Sequence, residues 1–230
     1  MDKEKPIKEV VLKLTYHSCA IENNTIPYEI TKKLLNNQDL NNIYNAYSIR
    51  EINELINFNN VIEYIANNYQ DLDINNETIL KLHSLIMENI IFNNGIFRNH
   101  NVTISCAYVK PYDYNVIEYK LNKLNTEFDN EIMFLKSTIS KEKLVLRYHA
   151  LFERIHPFSD GNGRTGRALI FLMQLKYNLP IKYIAVEHKK EYFNSLNEFL
   201  INDKIDCLYD VYNKSKGKIK WQANNKNSLS

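Results

Sequence analysis

The sequence predicts an all-α domain that carries one small β-hairpin, and three observations predict it. Apolar residues recur at the period of an α-helix over most of the 230-residue chain. One window, Ala168 to Met173 (ALIFLM), is apolar nearly all round, the pattern of a helix at the centre of a bundle. Only residues 95–111 depart from helix: Val102 and Ile104 alternate with polar neighbours, Tyr108 and Val109 resume after a short turn at Ser105 to Ala107, and Pro111 closes the segment. An isolated hairpin is marginal in water, so this one has to lean on helices.

In chain order, the spacing predicts a first helix over 7–22, with Ile7, Val10, Val11, Leu14 and Ile21 on one face. Asn23 follows it, where a left-handed residue ends a helix. Thr25 is the expected N-cap of a short second helix running to about Asn36. Residues 41–68 hold periodic apolar positions, among them Ile43, Ala46, Tyr47, Ile56, Val61 and Ile65, for one long helix or two. Asn76 is the expected cap of a helix to about Ile90. Helices over 113–130 and 141–155 follow. The second has Leu144, Tyr148, Leu151, Phe152 and Ile155 on one face, and Pro157 stops it. The central helix runs from Arg164 to Tyr177, and 188–203 and 205–213 complete the set. The chain then divides into an N-terminal segment 1–36, a main domain 37–213 with its core at about 75–177, and a polar tail 214–230.

Composition narrows the function. A hydrophobic fraction of 44% suffices for a core, and a net charge of +2 carries no nucleic-acid signal. Three scattered cysteines, Cys19, Cys106 and Cys207, have no metal-ligand spacing and fit a reducing cytoplasm. No apolar run approaches the roughly 20 residues that span a bilayer, and MDKEKPIKEV has no signal core. The expectation is a cytoplasmic protein with neither membrane nor nucleic acid as partner. Nothing in the sequence fixes the oligomeric state, and a homo-oligomer is left open.

The chemistry is concentrated in Ile155 to Arg167, IHPFSDGNGRTGR, which holds three of the chain's five glycines. Glycines permit left-handed backbone and close approach, so Asp160 to Gly163 can fold into a nest of N–H groups, and the helix that follows adds its positive N-terminal end. That combination fits phosphate. Arg164 and Arg167, a helical turn apart, would share a face and meet more than one phosphoryl group. Asp160 reads as a ligand for a hard divalent cation between itself and the phosphates, and His156 as a proton acceptor. Gly161, Gly163 and Gly166 also satisfy the dinucleotide fingerprint G-x-G-x-x-G, but that motif needs a strand before it, and a helix precedes it here. A glycine-rich turn between helices is the plainer alternative, although it would not require His, Phe, Asp and Asn at these offsets.

His156, Phe158, Asp160, Gly161, Asn162, Gly163, Arg164 and Arg167 fill the pattern H-x-F-x-[D/E]-G-N-G-R-x-x-R. In this the chain resembles the Fic family, helical bundles with a small β-hairpin flap that transfer AMP from ATP to protein hydroxyls. The resemblance implies His156 as general base, Mg2+ (or Mn2+) on Asp160, the α- and β-phosphates on Gly161 to Gly163 with Asn162 and Arg164, the γ-phosphate on Arg167, and Phe158 as a core residue. Relatives that phosphorylate carry lysine where Gly163 stands. Relatives also hold adenine with aromatic and amide side chains near Tyr192 and Phe193, where an aromatic pair at helical spacing equally reads as core. The flap, with Val102, Ile104, Tyr108 and Val109, would pair with an extended segment of a target protein, or be an ordinary surface hairpin.

Ser18 and Glu22 are an i, i+4 pair at the end of the first helix, followed by Asn23. They resemble the family's inhibitory motif [S/T]-x-x-x-E-[G/N] in its N-terminal position. A carboxylate at a helix C-terminus is slightly misplaced against the dipole and favours a tertiary partner. The resemblance makes that partner Arg167, so that Glu22 competes with the γ-phosphate. The expectation is therefore a Mg-ATP-dependent protein adenylyltransferase, self-modification included. AMP removal by hydrolysis and a non-catalytic nucleotide-binding module are the alternatives.

Overall fold

The computed structural model describes residues 4–103 and 108–214. Among the described residues the fold is helical: α1 Glu4–Ile21, α2 Tyr28–Leu35, α3 Leu40–Ala46, α4 Ile49–Asn68, α5 Asn76–Ile86, α6 Ile117–Ile132, α7 Thr138–Ile155, α8 Asn162–Lys176, α9 Lys189–Asn202 and α10 Ile205–Lys214. Short 3-10 turns precede α6 at Tyr114–Val116 and α9 at Val186–His188.

Helix α8 is the centre. Thirteen of its 15 residues are buried, and α1, α4, α5 and α7 pack around it. Each fully buried Leu, Ile, Phe or Met in Ala168–Met173 is worth roughly 1.5–3 kcal/mol relative to exposure, so this helix fixes the frame from which its first turn projects. Helix α1 joins the same core through Val10, Val11, Leu14 and Ile21, while the side chain of Ile7 lies outside the described part.

Several boundaries differ from the sequence reading. Of the one helix or two expected over 41–68 there are two, because Ser48 caps α4, accepting from Glu51 N at 3.2 Å while donating to Glu51 Oε2 at 2.7 Å. That Ser-x-x-Glu is a capping box. Thr25 does not cap α2; its N–H and hydroxyl both go to Glu51 Oε1, and Pro27 holds the N-cap position instead. The cap of α5 is Asn75, which accepts from Thr78 N at 2.9 Å, one residue before the expected Asn76. Residues 101–103 and 108–110 show no strand; Ile104 and the turn Ser105–Ala107 lie outside the described residues, as do Cys106 and the tail beyond Lys214.

Candidate active site

Helix α7 ends on His156, whose backbone is left-handed (φ 50, ψ 61). That conformation is uncommon for a residue with a Cβ, and neighbours hold it. His156 N donates to Phe152 O at 2.9 Å, Arg98 Nε donates to His156 O at 2.8 Å, and Arg98 N donates to Pro157 O at 2.9 Å. The ring's Nδ1 lies 3.2 Å from the carbonyl of Glu153. A carbonyl only accepts, so Nδ1 carries the proton and Nε2 keeps its lone pair. Burial, only partly offset by that carbonyl, holds the imidazole down to about 4, so the ring is neutral at neutral pH, with Nε2 unprotonated.

The loop after His156 is built from beneath. Phe158 is fully buried, as the resemblance implied, and stacks on His83 with centroids 3.6 Å apart. His83 Nδ1 accepts from Gly95 N at 2.8 Å, which leaves its Nε2 as the donor to Asp160 O at 3.0 Å. Gly161 is left-handed (φ 79), and a Cβ there would sit 2.6 Å from Met87 Sδ. Asn162 was expected among the phosphate ligands. Its side chain instead bonds both N and O of Phe158, each at 2.9 Å, in a residue only 2% exposed. Each polar atom of its amide bonds the Phe158 backbone, so Asn162 shapes the loop.

Arg167 joins the two ends of the chain. Its Nε donates to Ser18 Oγ at 2.8 Å, and its NH2 donates to Ser18 O at 2.9 Å and to Glu22 Oε1 at 2.7 Å. Asn23 ends α1 with φ 72 and accepts from Lys189 Nζ at 2.6 Å. Burial, the largest single influence, opposes the charge on Arg167, but the Glu22 carboxylate, with Tyr192 and Glu153 behind it, outweighs burial and raises the guanidinium above its ordinary range. Glu22 also lies on the backbone of the first turn of α8: a Cβ at Gly163 would meet Glu22 Oε1 at 2.2 Å and Arg167 NH1 at 3.0 Å. A carboxylate therefore occupies an anion position made by a helix N-terminus and a buried arginine.

Arg164 does not share that face. It is 2% exposed and pairs with Glu54 Oε1 at 3.1 Å and Asp160 Oδ1 at 3.5 Å, so the two arginines, expected to share phosphates, meet different carboxylates in this structure. Asp160, 40% exposed, also accepts from Arg50 NH2 at 2.5 Å, and Arg50 in turn reaches Glu54 Oε1 at 3.3 Å. Among the described residues no three His, Cys, Asp or Glu side chains cluster as a metal cage. One accessible carboxylate suits a Mg2+ that arrives on a polyphosphate with its waters, since Mg2+ is usually bound by one or two carboxylates plus substrate oxygens.

Tyr192, expected at the adenine, is fully buried, with its hydroxyl 2.6 Å from His149 Nε2. As placed, it offers no surface to a nucleotide. Beside it Glu153 is pushed up by burial to about 8, and a Cβ on Gly166 would come within 2.8 Å of its Oε1. Of the flap residues, Tyr108 is 78% exposed and its N–H donates to Asn197 Oδ1 at 3.1 Å; Val102 is partly buried, as is Val109. Sequence reasoning missed Arg50, Glu54, Arg98 and His83 as parts of the site. Only Ser48-x-x-Glu51, which places α4 and with it Arg50 and Glu54, left a readable signal.

The fold and this site carry a family mark. Residues 73–174 match the model of the Fic/DOC family. The chain is similar to the protein adenylyltransferase Fic of Drosophila yakuba, 28% identical over 222 residues that cover 93% of this chain and 43% of that protein. It is similar also to the protein adenylyltransferase fic-1 of Caenorhabditis elegans, 26% identical over 209 residues, 86% of this chain and 38% of that protein. The chain thus spans less than half the length of these curated relatives. The same fold occurs in a Fic domain containing signaling protein from Bacteroides thetaiotaomicron, with a TM-score of 0.76 and 21% identity over 92% of this chain and 84% of that one. Fic-1 from C. elegans (aa134–508) gives 0.75 and 24%, over 93% and 63%.

Proposed function

We propose that this chain is a protein adenylyltransferase that moves AMP from ATP to a Ser, Thr or Tyr hydroxyl of a target protein, and that Glu22 restrains it. One observation carries the reading: a carboxylate seated between Gly163 and Arg167, the place of a terminal phosphoryl group, within the same site as a neutral histidine whose Nε2 is free to accept a proton. In the reaction His156 Nε2 takes the proton of the hydroxyl, whose oxygen bonds to the α-phosphorus as the bond to the β-phosphate bridge breaks and pyrophosphate leaves. Arg167, once released by Glu22, holds the γ-phosphate. Gly161 and Gly163 let the phosphates approach the α8 N-terminus, and Asp160 would hold the Mg2+ that screens the phosphate charge. While Glu22 keeps its place, ATP binds without its γ-phosphate on Arg167, and the α-phosphorus is misaligned for attack. The names of the relatives support this reading.

Feeding ATP labelled at the α- or at the γ-phosphorus tests it. Label on protein from α alone is the expected result; label from γ alone means phosphorylation, and label from neither means a binding module. His156→Ala should lower transfer by ~10²- to 10⁴-fold with ATP binding nearly unchanged, and an unaltered rate would exclude His156 as the base.

A further inference from the structure

Arg98 is 3% exposed, and every side-chain hydrogen bond it makes goes to a backbone carbonyl. Nε donates to His156 O at 2.8 Å, NH1 to His100 O at 2.6 Å, and NH2 to Tyr112 O at 2.5 Å and to Ile155 O at 3.4 Å. Its own N–H donates to Pro157 O at 2.9 Å. Burial disfavours its charge, with Asp113 the carboxylate that offsets this, yet a guanidinium stays protonated in proteins. Ile155 and His156 are at the C-terminal end of α7, where carbonyls lack intrahelical donors and carry the negative end of the helix dipole. A fork of donors and a positive charge meet both needs at once.

We infer that Arg98 is the positioning residue for His156: it clamps the carbonyls on either side of the left-handed turn, and thereby sets where Nε2 of the imidazole points. The inference rests on the reading of His156 as general base. Lysine would keep the charge and lose the fork, since one ammonium cannot satisfy four carbonyls spread over His100, Tyr112, Ile155 and His156 in the plane the guanidinium uses. The clamp also ties the two flanks of the 101–110 segment to the catalytic turn. Those flanks are themselves joined by Asn101, whose side chain donates to Asp113 Oδ2 at 2.9 Å and accepts from Tyr114 N at 3.0 Å.

The charged groups acting on the His156 ring are Arg98, Glu22 just after α1 and Asp160 of the loop; Arg98 lowers its proton affinity, and the two carboxylates raise it. Loss of Arg98 therefore has a signature beyond disorder. Long-range ¹H–¹⁵N spectra of the His156 ring, recorded against pH in the full chain, should show the Nδ1–H tautomer in the parent. Arg98→Gln should mix the tautomers and move the titration upward by ~0.5 pH unit or more. Arg98→Lys should mix the tautomers with a smaller upward move. In the Glu22→Gly background both should lower kcat for AMP transfer by ~10- to 100-fold, with KM for ATP within about twofold. Parent-like tautomer, titration and kcat in either folded variant would overturn the inference, as would a loss of kcat matched by an equal loss of ATP affinity. If Arg98→Gln does not fold, Arg98→Lys carries the test. Should the Glu22→Gly parent itself transfer no AMP while the ring spectra change as expected, the adenylyltransferase reading fails and the positioning role stands.

Discussion

Two arginine–carboxylate pairs flank the loop 156–163, and they differ in how much water reaches them. Arg167 is 7% exposed against a Glu22 that is 32% exposed, and Ser18 adds two more acceptors, its hydroxyl and its carbonyl. Arg50 is 54% exposed and Asp160 40%. A mostly dry pair is costly to break from one side, whereas a wet one exchanges partners at little cost. The dry pair is therefore suited to hold one state of the site, and the wet pair to give way to an incoming cation.

The largest expected effect breaks the dry pair from either side. Glu22→Gly should raise self-modification by at least ~10-fold, because it clears the anion position, and Arg167→Ala should lower it although the same contact is lost. Since Glu22 is one-third exposed, the stability cost of Glu22→Gly should fall below the ~3–5 kcal/mol of a fully buried pair, at about 2 kcal/mol. Mg-ATP should restore the lost melting temperature by supplying a replacement charge. An unchanged rate of self-modification in Glu22→Gly would remove the inhibitory role. If that substitution instead abolishes release of AMP from a modified substrate, the hydrolytic activity is the one to pursue.

Gly163→Ala sharpens the same point. Its Cβ would fall 2.2 Å from Glu22 Oε1 and 3.0 Å from Arg167 NH1, so the carboxylate has to leave or the first turn of α8 has to shift. The substitution should cost about 1–2 kcal/mol in the parent and much less in Glu22→Gly, a coupling of roughly 1 kcal/mol in a double-mutant cycle. Additive costs would mean that the strain is local to α8 and unrelated to Glu22.

The dry side should also be visible in pH. Glu153, next to Arg167, is raised by burial to about 8 from 4.5, so the folded state binds more protons than the unfolded one between those values. Its contribution to stability is present below 4.5 and is lost as pH rises through 8. His156, depressed by burial from 6.5 to about 4, acts in the opposite sense: the unfolded chain binds more protons there, and stability falls as pH drops through that window. Denaturant midpoints should thus decline from about pH 6.5 to 8 in the parent, and Glu153→Gln should flatten that limb.

How much of this was legible follows the same division. The residues of the loop and of α1's end are close in sequence or fixed in spacing, so the left-handed Asn23, the Ser18–Glu22 pair and the histidine proposed as the base all showed in the chain. Burial, which decides roles, did not. Asn162 and Arg164 sit at motif positions, yet the Asn162 amide bonds the backbone of Phe158 and Arg164 pairs with Glu54 and Asp160. Arg98 and His83 act through backbone carbonyls and amides far along the chain, and no residue-type pattern marks a carbonyl as a partner. The misplaced cap at Thr25 has the same cause, since Glu51, distant in sequence, claims its donors.

The smallest effect belongs to the wet pair. Arg50→Gln removes a cation from Asp160 while Gly161 N and Arg164 remain on Oδ1, so stability should change by about 1 kcal/mol or less, and less still at high salt. The informative readout is metal affinity. A guanidinium on Oδ2 competes with any divalent cation for that carboxylate, so Mn2+ bound together with a non-hydrolysable ATP analogue should bind about three- to fivefold more tightly in Arg50→Gln, as measured by loss of the free Mn2+ resonance signal. Asp160→Asn should erase that gain. If the Arg50→Gln affinity is unchanged, Arg50 yields its partner without a struggle and the pair contributes nothing to metal entry. If the affinity is weaker, Arg50 itself meets the phosphates, and the wet pair belongs, like the dry one, to the nucleotide site.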